Sequence, residues 1–447
     1  MGQLGIGTLL DSAVPVVVPG LLARAISAGE NHTCAILLDG GVKCWGFNGF
    51  GQLGNGEFAN APAPKDVTTS VQEVFLGENH TCALMIGGGM KCWGSNVFSQ
   101  LGGNEINKSE FSPVDVFLDG VSVTGIGTGG DHTCALLSGG TVKCWGRNRD
   151  GQLGIASKGE VPQTTPFLIQ GFSSVEGISG GGDHTCAISV VATTGTGTST
   201  ATSTKEVSCW GKNTSGQLGT GSIADATIPT VSLLNLPPTV TPTKISAGDK
   251  HTCSLLSDGT VRCWGFNKSG QLGDGFLTDS FTPRVVQDPI AGPPSLVGAT
   301  DVSVGGGHTC VVLTGGSVKC WGSNSFGQLG VAGVLSTSVP QKITVLGFKN
   351  VAAGDHHTCG LLDNATVRCW GSNESGQLGN EKNVSASTPE PIKGLLTYQS
   401  VSAGKNHTCA VTIDNTLKCW GDNAYGQLGT GIAGFRATPV SVIGFLF

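Results

Sequence analysis

Ile26-Ser27-Ala28-Gly29, His32-Thr33-Cys34-Ala35-Ile36-Leu37, Asp39-Gly40-Gly41, Val42-Lys43-Cys44-Trp45-Gly46 and Gly51-Gln52-Leu53-Gly54 follow one another in a single stretch, and the chain repeats that order eight times. Asp-Gly or Gly-Gly between two apolar runs is a strong short-range hairpin signal, so the middle of each repeat is predicted to be a β-hairpin. Side chains alternate between the two faces of a strand. A cysteine separation of ten is even, so both cysteines share one face, opposite one another about the turn. Directly opposed positions hold Cα atoms ~4.5–5.5 Å apart, within reach of a disulfide. Closing a loop of that length stabilises by roughly 2.5–3 kcal/mol in the chain-entropy model.

The same pairing recurs as Cys82 with Cys92, Cys134 with Cys144, Cys186 with Cys209, Cys253 with Cys263, Cys310 with Cys320, Cys359 with Cys369 and Cys409 with Cys419, which accounts for all 16 cysteines. An odd thiol would have argued for reactivity, and none is left over. All 8 tryptophans stand in Cys-Trp-Gly: Trp45, Trp93, Trp145, Trp210, Trp264, Trp321, Trp370 and Trp420. Their spacing is that of propeller blades.

These repeats resemble those of the regulator of chromosome condensation family, whose signature joins a His-containing strand, a Trp-Gly strand end, and Asn followed by Gly-Gln-Leu-Gly. The resemblance implies an all-β propeller of four-stranded blades, usually seven. This sequence departs from it in having eight hairpins and in pairing its cysteines. The expected fold is therefore one β-propeller domain over residues 1–447 with eight repeats, seven blades or an open array being the alternatives. Gly-Gln-Leu-Gly also opens the chain at Gly2 and returns at Gly426, so one outer strand is redundant. The opening residues, Met1-Gly2-Gln3-Leu4, read as the middle of a repeat and not as a leader.

Composition agrees with an all-β chain rich in turns: 72 glycines, 19 prolines and only 13% charged residues in 447. A net charge of −6 gives no general pull toward nucleic acid. No apolar run is long enough for a transmembrane segment. Reduced cytosol disfavours structural disulfides, so the expected localisation is extracellular, cell-surface or periplasmic. Nine Asn-x-Ser/Thr sequons, at Asn31, Asn79, Asn107, Asn213, Asn267, Asn364, Asn373, Asn383 and Asn406, are candidate glycosylation sites in a host that reads them. Asn31, Asn79 and Asn406 share a slot with Asp131 and Asp183, where a short Asx side chain can cap a turn.

No residue set proposes catalysis. Eight histidines (His32, His80, His132, His184, His251, His308, His357 and His407) occupy one slot. Catalytic groups need a unique constellation, so a repeated histidine reads as a buried turn-holder bonded to backbone. His-x-Cys with the cross-strand cysteine offers an N/S set, but no repeat supplies a fourth ligand for zinc. Gly180-Gly181-Gly182 and Gly305-Gly306-Gly307 lack the Lys-Ser/Thr and the helix of a phosphate loop. No enzyme activity, metal or cofactor is expected.

Two slots bear on binding. Lys43, Lys91, Lys143, Arg262, Lys319, Arg368 and Lys418 precede the second cysteine, and read either as stems packed between blades or as a basic ring. Phe50, Phe98, Phe326 and Tyr425 stand two before Gln-Leu-Gly, where Asp150, Ser215, Ser269 and Ser375 stand elsewhere. A closed ring gathers Tyr425, Phe50 and Phe98 into an aromatic partner rim. Residues 190–206 read as a flexible Thr/Ser/Gly insertion in the fourth hairpin. The expected function is a non-enzymatic extracellular protein-binding or structural module. Alternatives are a subunit of a surface filament self-assembled by strand exchange, an intracellular nucleotide-exchange-type regulator, and a glycan-binding lectin.

Overall fold

A computed structural model describes residues 2–4, 8–9, 12–103, 109–193, 202–288, 295–394, 397–422, 426–428 and 432–433, and no helix occurs among them. Each repeat forms the predicted hairpin and adds one strand on either side. Blade 2, for example, is Val71–Leu76, His80–Met85, Met90–Gly94 and Glu110–Asp115, counted from the inner strand outward. Blades 3 to 7 repeat this over residues 123–168, 175–231, 242–285, 299–342 and 348–391.

Blades 8 and 1 share one long strand, Ser12–Ala28. Its residues 12–22 pair with Thr416–Gly421 as the outer strand of blade 8, and its residues 23–28 pair with His32–Leu37 as the inner strand of blade 1. The expectation of eight blades holds, and the chain's beginning closes the ring onto its end.

Each hairpin sets its two cysteines directly opposite one another. Disulfides join Cys34 with Cys44, Cys82 with Cys92, Cys134 with Cys144 and Cys186 with Cys209. The other four join Cys253 with Cys263, Cys310 with Cys320, Cys359 with Cys369 and Cys409 with Cys419. All sixteen cysteines are buried. Two details correct the expectation. The Cα atoms lie 4.1–4.2 Å apart, closer than the spacing of an ordinary opposed pair. The Leu37 amide donates to the Gly41 carbonyl next to the turn. Counting alternate rungs from there puts Cys34 and Cys44 on a non-hydrogen-bonded rung, the narrower kind, and the bridge draws it in further. Secondly, Cys186 and Cys209 are 23 apart, an odd separation, yet they are opposed as squarely as the rest. Ladder register, not an even count, puts two cysteines on one face.

Each indole packs on the disulfide of the preceding blade: Trp93 on Cys34–Cys44, Trp145 on Cys82–Cys92, and Trp45 on Cys409–Cys419 across the closure. The staples thus stiffen single blades, while the tryptophans bury apolar surface between blades and cement the ring.

The segment after Cys-Trp-Gly explains its own sequence. The Asn48 side-chain oxygen accepts from the Leu53 amide at 3.0 Å, and Gln52 Oε1 accepts from the Phe50 amide at 3.1 Å. The loop so folded aims the Gln carbonyl at the next blade. There the Gln217 carbonyl accepts both the Trp264 indole N–H and the Thr252 hydroxyl. At Gly54, φ is +69°, and an added Cβ would stand 2.6 Å from the Trp93 ring, so only glycine fits.

The long fourth hairpin differs from expectation. Its ladder continues past Val190↔Lys205 to Thr193↔Thr202, so both ends of the insertion are regular strand. Alternating Val, Thr and Ser residues suit extended pairing, which the composition-based reading undervalued. Residues 194–201 lie outside the described residues.

Candidate functional site

Each second strand begins, and each third strand ends, at one end of the ring, since His32 opposes Gly46. That end carries the turns before the histidines and the loops that contain Gly-Gln-Leu-Gly. The hairpin turns lie at the opposite end.

The histidines form its foundation. His32 Nε2 meets the Thr81 hydroxyl of the next blade at 2.8 Å, and seven equivalent contacts of 2.7–3.1 Å run round the ring. Thr81 donates its proton to the Gln52 carbonyl, so it accepts from His32, and Nε2 must carry the imidazole proton. Nδ1 is left bare, without a partner, in all eight histidines. Burial pushes their pKa values down to about 3 or 4, so all eight are neutral at physiological pH. The histidines therefore hold the next blade through a side chain, not their own turn through backbone. Every cysteine sulfur beside these histidines is held in a disulfide. Among the described residues no group of three His, Cys, Asp or Glu could hold a metal ion.

An axial channel of about 520 Å³ opens on this end, walled by the repeated glycines. A Cβ on Gly305 would come within 2.5 Å of the Gly354 carbonyl and 2.6 Å of His308 Cε1. The wall is glycine because the neighbouring blade and the histidine leave no space. The next position carries Glu30, Glu78, Asp249, Asp355 and Lys405, with glycine at 130, 182 and 306. Lys405 pairs with Glu30, Lys250 lies 3.6 Å from Asp249, and His356 lies 3.6 Å from Asp355. Among the described residues Glu78 makes no ion pair, and burial followed by the charges of Glu30, Asp131 and Asp249 raises its pKa. Burial also raises Asp131, against the pull of Arg147. For Asp183 burial acts the same way, but the Lys212 hydrogen bond and charge, with Arg147, carry it below the usual carboxylate range. The mouth is acidic and largely self-neutralised.

The predicted aromatic rim is half-buried and engaged. Phe50 packs edge-on against Phe47 at 5.8 Å, Phe98 lies under the Arg147 guanidinium at 5.0 Å, and Phe326 stacks on His356 at 4.9 Å. Tyr425 lies outside the described residues. The exposed apolar groups sit further along the same loops: Phe58 (71% exposed), Ile223, Phe276, Leu277, Leu335 (84%) and Val384. Sequence reading missed them, although each follows Gly-Gln-Leu-Gly by a few residues and leads into the outer strand. The basic slot is tied down in part: Lys43 pairs with Asp66 at 2.6 Å, Lys91 with Asp115 at 2.7 Å, and Lys319 with the buried Asp288.

Three of the nine sequons are corrected. Asn213, Asn267 and Asn373 are wholly buried, and the Asn213 amide donates to the Ser222 and Ala224 carbonyls, so no glycan can enter there in the folded chain. The expected Asx caps are also replaced. In that slot the backbone carbonyl is used, Asn31 accepting from the Phe47 amide, and Lys250 and Gly307 serve identically.

Comparison with known proteins agrees with this geometry. The model of the RCC1-like domain matches residues 1–298, and regulator of chromosome condensation (RCC1) repeats match residues 299–328, 348–377 and 398–427. The chain is 30% identical over 346 residues to the ultraviolet-B receptor UVR8 of Arabidopsis thaliana, covering 74% of this chain and 72% of the receptor. It is 34% identical over 361 residues to the probable E3 ubiquitin-protein ligase HERC3 of Homo sapiens, covering 77% of this chain but about a third (32%) of the ligase. The structure of Prp20p from Saccharomyces cerevisiae superposes with a TM-score of 0.63 at 20% identity, over 91% of this chain and 92% of Prp20p. The eightfold hairpin, the Trp-Gly strand end, the Gly-Gln-Leu-Gly loop and these matches together make the chain a member of the RCC1-like propeller family.

Proposed function

We propose that this chain is a rigid, non-enzymatic protein-binding module of an oxidising compartment, which meets its partner through the loops between the third and outer strands. One observation carries the reading: five blades present an exposed apolar side chain in that loop, at Phe58, Ile223, Phe276, Leu335 and Val384, above a base locked by disulfides, tryptophans and histidine links. Large exposed apolar groups held on a rigid frame lose little conformational freedom on binding. The solved structure of Prp20p reports its binding to Gsp1p and histones, which supports protein recognition as a use of this fold. The buried staples support the compartment, since structural disulfides persist where thiols are not kept reduced.

A photo-reactive cross-linker placed at Phe58, Phe276 or Leu335 in the native host should capture one protein. The same probe at Ile86 or Ile413, exposed at the opposite end, should not. Capture only from Ile86 and Ile413 would move the partner to the hairpin turns. Intact mass after alkylation of freshly isolated protein tests the compartment: sixteen protected cysteines support it, and sixteen alkylated thiols refute it.

A further inference from the structure

Two hairpin turns share one contact geometry and differ in one atom. In blade 5 the Asp258 carboxylate accepts from the Thr260 amide at 3.0 Å and from the Thr260 hydroxyl at 2.7 Å. In blade 7 the Asn364 side-chain oxygen accepts from the Thr366 amide at 3.1 Å and from the Thr366 hydroxyl at 2.7 Å. The residue between is left-handed in both, Gly259 with φ of +75° and Ala365 with φ of +64°. Such a turn needs only the side-chain oxygen, which aspartate supplies as well as asparagine. Asn364 adds a carboxamide nitrogen, on an exposed side chain at the tip of blade 7, and Asn364-Ala365-Thr366 is an Asn-x-Thr sequon.

The fold closes the other sequons among the described residues. Asn213, Asn267 and Asn373 are wholly buried. Asn31, Asn79 and Asn406 are half-buried, and the hydroxyls of their sequons, on Thr33, Thr81 and Thr408, are buried in the links between blades. Asn383 Oδ1 is buried without a partner, so Ser385 makes no contact with it like that of Thr366 on Asn364. We infer that Asn364 is the residue on which the folded chain carries an N-linked glycan, an assignment that rests on the oxidising compartment proposed above. Thr366 turns the Asn364 oxygen toward the chain and leaves the nitrogen to an incoming group. That nitrogen attacks the anomeric carbon of a lipid-pyrophosphate-linked oligosaccharide. A C–N bond forms, the C–O bond between sugar and pyrophosphate breaks, the lipid pyrophosphate leaves, and one amide proton passes to the transferring enzyme. The hairpin turns lie at the end of the ring opposite the loops of Phe58 and Leu335, so the glycan leaves the proposed partner surface open.

The full chain and its Asn364→Asp and Asp258→Asn variants, each produced in the native host, test this by alkylation followed by peptide mass mapping with and without glycosidase. The unaltered chain should carry one oligosaccharide mass at Asn364. Asn364→Asp should lose it with an unchanged thermal midpoint, because Asp258 shows that aspartate serves the same turn. Asp258→Asn completes a sequon with Gly259 and Thr260 in that turn, and should gain a second oligosaccharide at position 258. A bare Asn364 beside sixteen protected cysteines would overturn the inference and leave the compartment standing. A bare Asn364 beside sixteen alkylated thiols would overturn both. Glycan on Asn31, Asn79 or Asn406 to the same extent as on Asn364 would also overturn it, because the fold would then select no acceptor.

Discussion

His407 Nε2 stands 2.8 Å from the Thr33 hydroxyl, joining residues 374 positions apart, and it is the same contact that links every other pair of neighbouring blades. Ring closure therefore uses the chemistry of an ordinary blade junction. Thr33→Val removes the acceptor and strands a buried imidazole N–H, a loss of about 1–3 kcal/mol. Thr252→Val, which strands His184 inside the ring, should cost the same within error in urea unfolding. A silent Thr33→Val beside a costly Thr252→Val would show the closure to be loose.

The neutral histidines dictate how stability depends on pH. An unfolded histidine titrates near pH 6.5, whereas these are pushed down to about 3 or 4 in the folded chain. Below pH 6.5 the unfolded state binds protons that the folded state refuses, so stability is full above that value and is lost as pH falls toward 4. Each histidine contributes a slope of up to about 1.4 kcal/mol per pH unit in that window. The urea midpoint should fall steeply between pH 6.5 and 4.5, and His251→Gln should flatten the curve by one histidine's share. A flat profile from pH 7 to 5 would mean that the imidazoles are charged or solvated in the folded protein.

The disulfides are predicted to resist reductant until the chain unfolds, because all sixteen cysteines are buried beneath the indole of the following blade. Sulfur this close also quenches excited indole. Alkylation mass spectrometry should show no modification in reductant alone and complete modification in reductant with denaturant, with tryptophan emission rising as the second reaction proceeds. Stepwise labelling of native protein would show instead that single blades open independently.

The blade itself was legible in the sequence because its cause is local: period-two alternation and a Gly turn put Cys34 opposite Cys44 wherever the hairpin sits. The wiring between blades was not. His32 and Thr81 lie 49 residues apart and His184 and Thr252 lie 68, so neither a period nor a short motif ties them, and the histidine reads as serving its own turn. The surroundings of the predicted rim were not legible for a similar reason. Phe98 and Phe326 sit in loops, yet Arg147 and His356 from the next blade cover them. Phe58 and Leu335, by contrast, occupy loops of unequal length, where no fixed spacing marks them as a set.

Two glycines of the same repeat separate crowding from backbone strain. Gly305 has an ordinary φ but no room: a Cβ would lie 2.5 Å from the Gly354 carbonyl, a backbone atom fixed by the next blade. Gly315, in the hairpin turn, has φ of +83° and nothing within 4 Å of an added Cβ. Gly305→Ala must therefore push two blades apart, and is expected to cost about 3 kcal/mol, at the upper end of overpacking effects. Gly315→Ala pays only for a left-handed alanine, about 1 kcal/mol. Because the crowding is between blades, Gly305→Ala should also speed hydrogen exchange in Phe348–Ala353, the inner strand of blade 7, while Gly315→Ala changes only its own turn. Equal costs with local exchange effects in both would show that the channel wall is soft, and that its glycines answer to the turn rather than to the neighbouring blade.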